Sequence, residues 1–229
     1  MALLVVAGLA LLAVWQIHRR AYKLDLIERV ETRIHAAHVP APGQEAWDGI
    51  SATNDEYRRV VATGRWIDGR SVLVQALTEL GGGYWVITPL ARDDDTIILV
   101  NRGFIPASDR DSVAWHPRVD APVTVKGLLR LSEPGGGVLR ANDPSSGRWF
   151  SRDVGAIAAT QHLSRVAPYF VDAERAPDGG LPIAGLTVVT FPNNHLIYAI
   201  TWSILALMAA AGTVYVNLDQ LRSRKRAAH

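Results

Sequence analysis

Two stretches without a formal charge, one at each end of the chain, restrict its folding more than any other feature. Ala2–Ile17 (ALLVVAGLALLAVWQI) has Gln16 as its only strongly polar side chain. With Met1 it sits at the short limit of the roughly 17–25 residues needed to cross a hydrocarbon core of about 30 Å. Leu196–Leu218 also carries no formal charge, and a helix of that length reaches about 34 Å. Backbone in lipid must satisfy its own hydrogen bonds, so both segments are expected to be helices. No basic stretch precedes the first apolar run, and no small-x-small cleavage site follows it. It therefore reads as an uncleaved anchor rather than a signal peptide. With nothing amphipathic and Arg-rich ahead of it, a bacterial membrane is expected rather than an organelle's.

Charge is distributed unevenly between these anchors and the rest. From His18 to His195 there are 20 Lys and Arg against 21 Asp and Glu. The tail 219–229 sets Arg222, Arg224, Lys225 and Arg226 against Asp219 alone. The pI of 9.1 is thus a topology signal and not a nucleic-acid surface. The basic tail places the C-terminus in the cytoplasm; two spans place the N-terminus there too and the central domain outside. Arg19, Arg20 and Lys23, just after the first anchor, pull against this arrangement. Cysteine is absent, which excludes disulfides, thiolate metal sites and a C-x-x-C-H haem attachment.

The expected organisation is a transmembrane helix at 2–17, an extracytoplasmic domain at 18–195, a second span at 196–218 and a cytoplasmic tail at 219–229. Within the domain, 18–56 reads as a helical linker, because Leu24, Ile27, Val30 and Ile34 recur at helical spacing until Pro40 and Pro42. Residues 57–190 read as β-rich. Strands are expected at Tyr57–Ile67, Ser71–Leu77, Tyr84–Leu90, Thr96–Phe104, Val123–Leu131, Pro168–Asp172 and Leu186–Thr190, with turns at Asp68-Gly69 and Ala91–Asp95. A short helix over Asp153–His162 has Asp153 as its N-cap. The fold class is therefore two transmembrane α-helices flanking a mainly-β (α+β) domain, a small barrel or sandwich.

Several segments in this order carry a family resemblance: "ITPL" at Ile87–Leu90, "ILVNRGFIP" at Ile98–Pro106, "ANDP" at Ala141–Pro144, "WFSRDVGAIA" at Trp149–Ala158, and "PNNHLIYAITWSILA" at Pro192–Ala206. Together they resemble the surfeit locus protein one (Shy-one) family, over almost the whole chain and with both anchors in place. The resemblance implies a biogenesis factor for haem-copper terminal oxidases that binds haem a, or a related haem, or helps to insert it. It implies the oxidase catalytic subunit as partner, with a haem synthase as a further one, and a bacterial inner membrane with the domain in the periplasm. The alternative is a resident accessory subunit of a cytochrome c or quinol oxidase.

His195 is the sharpest site candidate. Asn193 or Asn194 can cap the second span, and one helical face then collects His195, Tyr198, Trp202 and Leu205. An imidazole over aromatic and aliphatic side chains suits an axial haem ligand. The competing reading is an interfacial belt of His, Tyr and Trp at a span end. His18, at the outer end of the first span, is a second ligand candidate or an interfacial residue beside Arg19 and Arg20. Those arginines suit haem propionates or lipid phosphates equally. Trp15 and Gln16 are expected to pack on the second span. Arg102, between Asn101 and Gly103, either faces a partner or forms a structural ion pair. Asp93–Asp95 reads as a solvated hairpin tip. No Ser-His-Asp or P-loop spacing occurs, so no catalytic residue, no metal site and no enzyme activity are expected.

Overall fold

The computed structural model describes residues 1–117, 121–137, 140–174, 180–187 and 193–227. These form two compact units, Met1–Arg29 with Thr190–His229, and Val30–Val189. Elements run in the order α1 (Ala2–His35), β1 (Val39–Pro40), β2 (Arg59–Trp66), β3 (Val72–Thr78), β4 (Gly81–Ala91) and β5 (Ile97–Pro106). Then come β6 (Val123–Leu131), β7 (Gly136–Gly137), β8 (Arg140–Ala141), α2 (Val154–Thr160), β9 (Val166–Ala173) and α3 (His195–Ala227).

The first unit is a pair of helices, each long and apolar enough to cross a membrane. Of the helical linker expected over 18–56, the part to His35 continues α1 without a break, as a stretch lacking Gly and Pro allows, and β1 and a 3-10 turn at Gln44–Gly49 take the place of helix beyond it. From Val6 to Lys23 the least exposed positions of α1 are Val6, Leu9, Ala13, Gln16, Arg20 and Lys23. In α3 they include His195, Ala199, Trp202, Ala206, Ala209 and Thr213. Both sets alternate steps of three and four, the spacing of a left-handed helix–helix seam. Alanine recurs along it, as helices packed in lipid require. The large apolar side chains Leu3, Leu4, Leu11, Ile197 and Leu207 lie outside the seam and are exposed.

The second unit is a five-stranded barrel, and this decides between the two expected β architectures. Strands follow the order β2-β6-β9-β5-β4, and a further β4–β2 pairing closes the ring. β1 extends it parallel to β2, and β3 adds to β4. Alternation in β2 and β6 turns Val60, Ala62, Trp66, Val125 and Leu129 into the barrel. There they meet Leu90, Ile98, Val100, Tyr169 and Val171. β5 is apolar on both faces because its other side is covered: Leu99 packs with Ile87, Phe170, Trp149 and the α2 residues Val154 and Ile157. Asp153 caps α2 as expected, its carboxylate accepting from Ala156 N–H at 3.0 Å. The strand expected at Leu186–Thr190 is not seen at Leu186 and Thr187, and its remainder lies outside the described residues.

Closure rests on two residue pairs, Arg65 with Ala91 and Trp66 with Leu90. Gly64 makes the approach possible, since a Cβ there would stand 2.2 Å from the Ala91 carbonyl oxygen. Gly64→Ala should therefore cost about 1–3 kcal/mol, the usual range for overpacking. A near-UV circular dichroism melt should show it, with Gly82→Ala, whose Cβ meets nothing within 4 Å, melting as wild type. Equal melting of the two variants would remove Gly64 from the closure.

Candidate functional site

Of the residues singled out in the sequence, the helix pair brings two into direct contact. His195 Nδ1 lies 2.7 Å from Gln16 Oε1. An amide oxygen only accepts, so the imidazole donates from Nδ1. In the neutral form of the ring, that leaves the lone pair on Nε2, the tautomer that a metal ligand needs. Gln16 is nearly buried, as are Ala13 and Ala199 on the same seam.

α3 begins at His195, and the Asn194 carbonyl accepts from Tyr198 N–H at 3.3 Å. The Asn193 side-chain oxygen is buried without a hydrogen-bond partner among the described residues. Trp202 shares the shielded stripe with His195, whereas Tyr198 and Leu205 are exposed. Trp15 and His18 are exposed as well. Two positions along a helix amount to about 200° of rotation, so His18 leaves α1 on a different side from Gln16. Arg19 stands 5.4 Å from the Tyr22 ring. The arrangement offers one oriented nitrogen lone pair among apolar side chains, a donor set that fits an axial haem ligand.

The barrel holds a polar cluster that the sequence reading passed over. Asp172, 2% exposed, accepts from Asn101 Nδ2 at 2.8 Å, Arg130 Nη1 at 3.1 Å, Arg152 Nη1 at 3.2 Å and Thr187 Oγ1 at 3.1 Å. Arg130 stacks over Tyr57 at 4.6 Å and Arg152 over Phe170 at 4.8 Å. Burial works to raise the Glu133 carboxyl, but the hydrogen bonds and charge of Arg152, joined by Arg130, leave it below the usual range. Nothing in the sequence signals this cluster, because its members lie far apart in the chain.

Arg102 stands elsewhere. Its Nη1 donates to the Trp115 carbonyl at 2.7 Å, and its guanidinium lies 5.3 Å from the Trp66 ring. Of the two roles expected for it, facing a partner or forming a structural ion pair, no ion pair is seen among the described residues. At the hairpin tip, Asp94 accepts from Thr96 N–H at 3.0 Å. No group of His, Cys, Asp or Glu among the described residues is placed to hold a metal.

Asp172→Asn removes the charge that compensates two half-buried guanidinium groups, which should cost about 3–5 kcal/mol at neutral pH. Glu133 tests the pH dependence. Its folded-state pKa lies below its unfolded value, so its contribution is present above the unfolded pKa of about 4.3 and is lost as pH falls through the folded one. Thermal melts should therefore weaken progressively below about pH 4.3, and Glu133→Gln should flatten that acid limb. An unchanged limb in the variant would assign acid lability to other carboxylates.

Comparison with known proteins covers both units. A family model described as the SURF1 family matches residues 3–207. Surfeit locus protein 1 of Homo sapiens is 32% identical over 210 residues, covering 83% of this chain and 68% of that protein. A SURF1-like protein of Monosiga brevicollis is 30% identical over 224 residues, covering 90% of this chain and 82% of its own length. A SURF1-like protein of Caenorhabditis elegans is 30% identical over 224 residues, covering 86% and 67%. The chain spans about two thirds of the length of the mammalian relatives.

Proposed function

Since the chain belongs to the SURF1 family, we propose that it is an assembly factor for a haem-copper terminal oxidase, holding haem at its helix pair for the catalytic subunit. The observation that carries the haem reading is the 2.7 Å contact between Gln16 and His195. Gln16 fixes the ring orientation and leaves Nε2 as the ligand nitrogen, the usual task of a residue behind a metal-bound histidine. Trp202 supplies flat apolar surface beside it. Bound haem would contribute an open iron coordination position for His195. His18 and Tyr198 are reserve candidates for the same group. A haem synthase is the natural donor, and the exposed faces of both helices meet membrane lipid.

In this reading both termini are cytoplasmic and the barrel is extracytoplasmic in a bacterial inner membrane. The basic tail at Arg222–Arg226 supports that orientation. The role is one of binding and delivery, with no chemistry asked of the barrel.

The test is spectroscopic. Protein purified from cells making haem A or haem O should show a Soret band, and His195→Ala should lose most of it. Gln16→Leu should keep the band but weaken haem affinity by about 10–100-fold, the range found when such a supporting partner is removed. An unchanged Soret band in His195→Ala would strike His195 from the ligand set. Fully haemylated oxidase in cells lacking the protein would overturn the assembly role.

A further inference from the structure

Arg102 differs from Arg59, Arg130 and Arg152 of the barrel in having no carboxylate partner among the described residues. Arg130 and Arg152 share Asp172, and Arg59 is held by Glu174 at 2.9 and 3.1 Å. For Arg102 the polar partner is the Trp115 carbonyl and the rest is an aromatic face. Among the described residues no acid pairs with it. Burial pushes its pKa down to about 10, with no opposing charge to restore it.

The backbone sets this side chain deliberately. Pairing of β5 with β4 slips between Trp85 and Ile87, opposite Asn101 and Phe104, so Arg102 and Gly103 form a bulge. Gly103 has φ +131, and a Cβ there would lie 2.4 Å from the Ile183 carbonyl oxygen. Asn101 Oδ1 accepts from Gly103 N–H at 3.2 Å and holds the bulge from within. On the other side Trp115 is fixed in turn: it is buried beside Val86 and Ile105, and its Nε1 donates to the Arg110 carbonyl at 3.0 Å.

One structural role follows directly, since Arg102 tethers the segment that contains Trp115. A neutral donor would do the same without bringing a charge into a half-buried position, so the tether does not account for the charge. A guanidinium has five N–H donors, and one nitrogen is engaged here. Buried side-chain polar atoms without a hydrogen bond among the described residues are Trp47 Nε1, Arg130 Nε (which is ion-paired with Glu56 at 3.5 Å) and Asn193 Oδ1. Arg102 is half-buried, and none of the hydrogen bonds among the described residues engages its other nitrogens. On the segment that Arg102 tethers, Arg110 stands over the Tyr84 ring at 5.4 Å and the His116 ring stacks on Trp115 at 4.2 Å. Asp109 and Asp111 flank Arg110 in sequence, but neither is bonded to Arg102. Val113, 83% exposed, adds an apolar contact point on the same segment.

We propose that Arg102, seated on Trp66 and tethered to Trp115, is a receptor for a carboxylate brought by a ligand or partner. The free edge of a planar guanidinium matches the two oxygens of a carboxylate side by side, and an aromatic face beneath it limits its rotation. The incoming group completes the charge pairing that the barrel gives its other arginines. This site lies in the barrel and stands whether or not His195 holds haem.

The experiment reads the arginine Nε–Hε resonances of the full chain in detergent micelles. Arg102 is assigned by its absence in Arg102→Lys, or by triple-resonance spectra of wild type should that variant fail to fold. Sodium acetate is titrated against sodium chloride at matched ionic strength, and hexaglutamate is then titrated in the same way. Acetate is expected to move the Arg102 resonance saturably while exposed Arg70 stays in place. Saturation by hexaglutamate at a tenfold lower carboxylate concentration would assign the acid to a protein partner. Equal saturation per carboxylate would assign it to a small acid. If neither probe moves Arg102 more than chloride does, the proposal is overturned.

Discussion

The barrel hangs on a contact only two residue pairs long, where β2 meets β4. Without it the ends of β2 and β4 at Trp66 and Leu90 would be left open, and the apolar set from Val60 to Val171 would be exposed there. The contact is so short because β4 already pairs with β3 and β5 along most of its length. Gly64 lets the two backbones meet where any side chain would collide with the Ala91 carbonyl. Closure then brings Trp66 into the barrel, and Trp66 is the surface on which Arg102 rests.

Closure alone does not fix register, and the polar residues do so at the other seam. β9 lies between β5, to which it is parallel, and β6, to which it is antiparallel. That placement sets Asp172 opposite both Asn101 and Leu128. A one-residue slip of β9 would turn Asp172 to the other face and leave two guanidinium groups without it. Apolar contacts between β-branched side chains tolerate such a slip far better than a buried charge does. The cluster thus specifies one alignment, whatever its net contribution to stability.

Much of this was legible in the sequence because it is local. Strand alternation, the Asp68-Gly69 turn and the Asp153 cap each depend on residues within a few positions of one another. The choice of barrel over sandwich was not, because it turns on Arg65 meeting Ala91 across a third strand. Nor was the parallel β5–β9 pair, whose register shifts between Ile97 and Leu99. Pro168, which cannot donate to a ladder, sits in β9 within that shift. Arg102 was visible as a choice between ion pair and partner surface, a choice that depends on residues distant in the chain and so could not be made from the sequence. At the helix pair, hydropathy marked both spans and His195. It could not pair His195 with Gln16, which requires knowing that both lie on seams with steps of three and four.

That Gln16 is an amide and not an acid matters for what His195 can do. A carboxylate in that place would hold the imidazole proton more strongly and favour the charged ring, whose second nitrogen is a donor and cannot bind a metal. It would also bring a charge into an apolar helix pair, where it costs far more than a neutral dipole. The amide satisfies Nδ1 at no cost in charge and leaves Nε2 basic. The small residues Ala13 and Ala199 on the same stripes are buried and let the two helices pack closely beside the pair. The Gln16–His195 contact thus fixes the rotation of one helix against the other, and the steps of three and four along both seams keep that pair aligned.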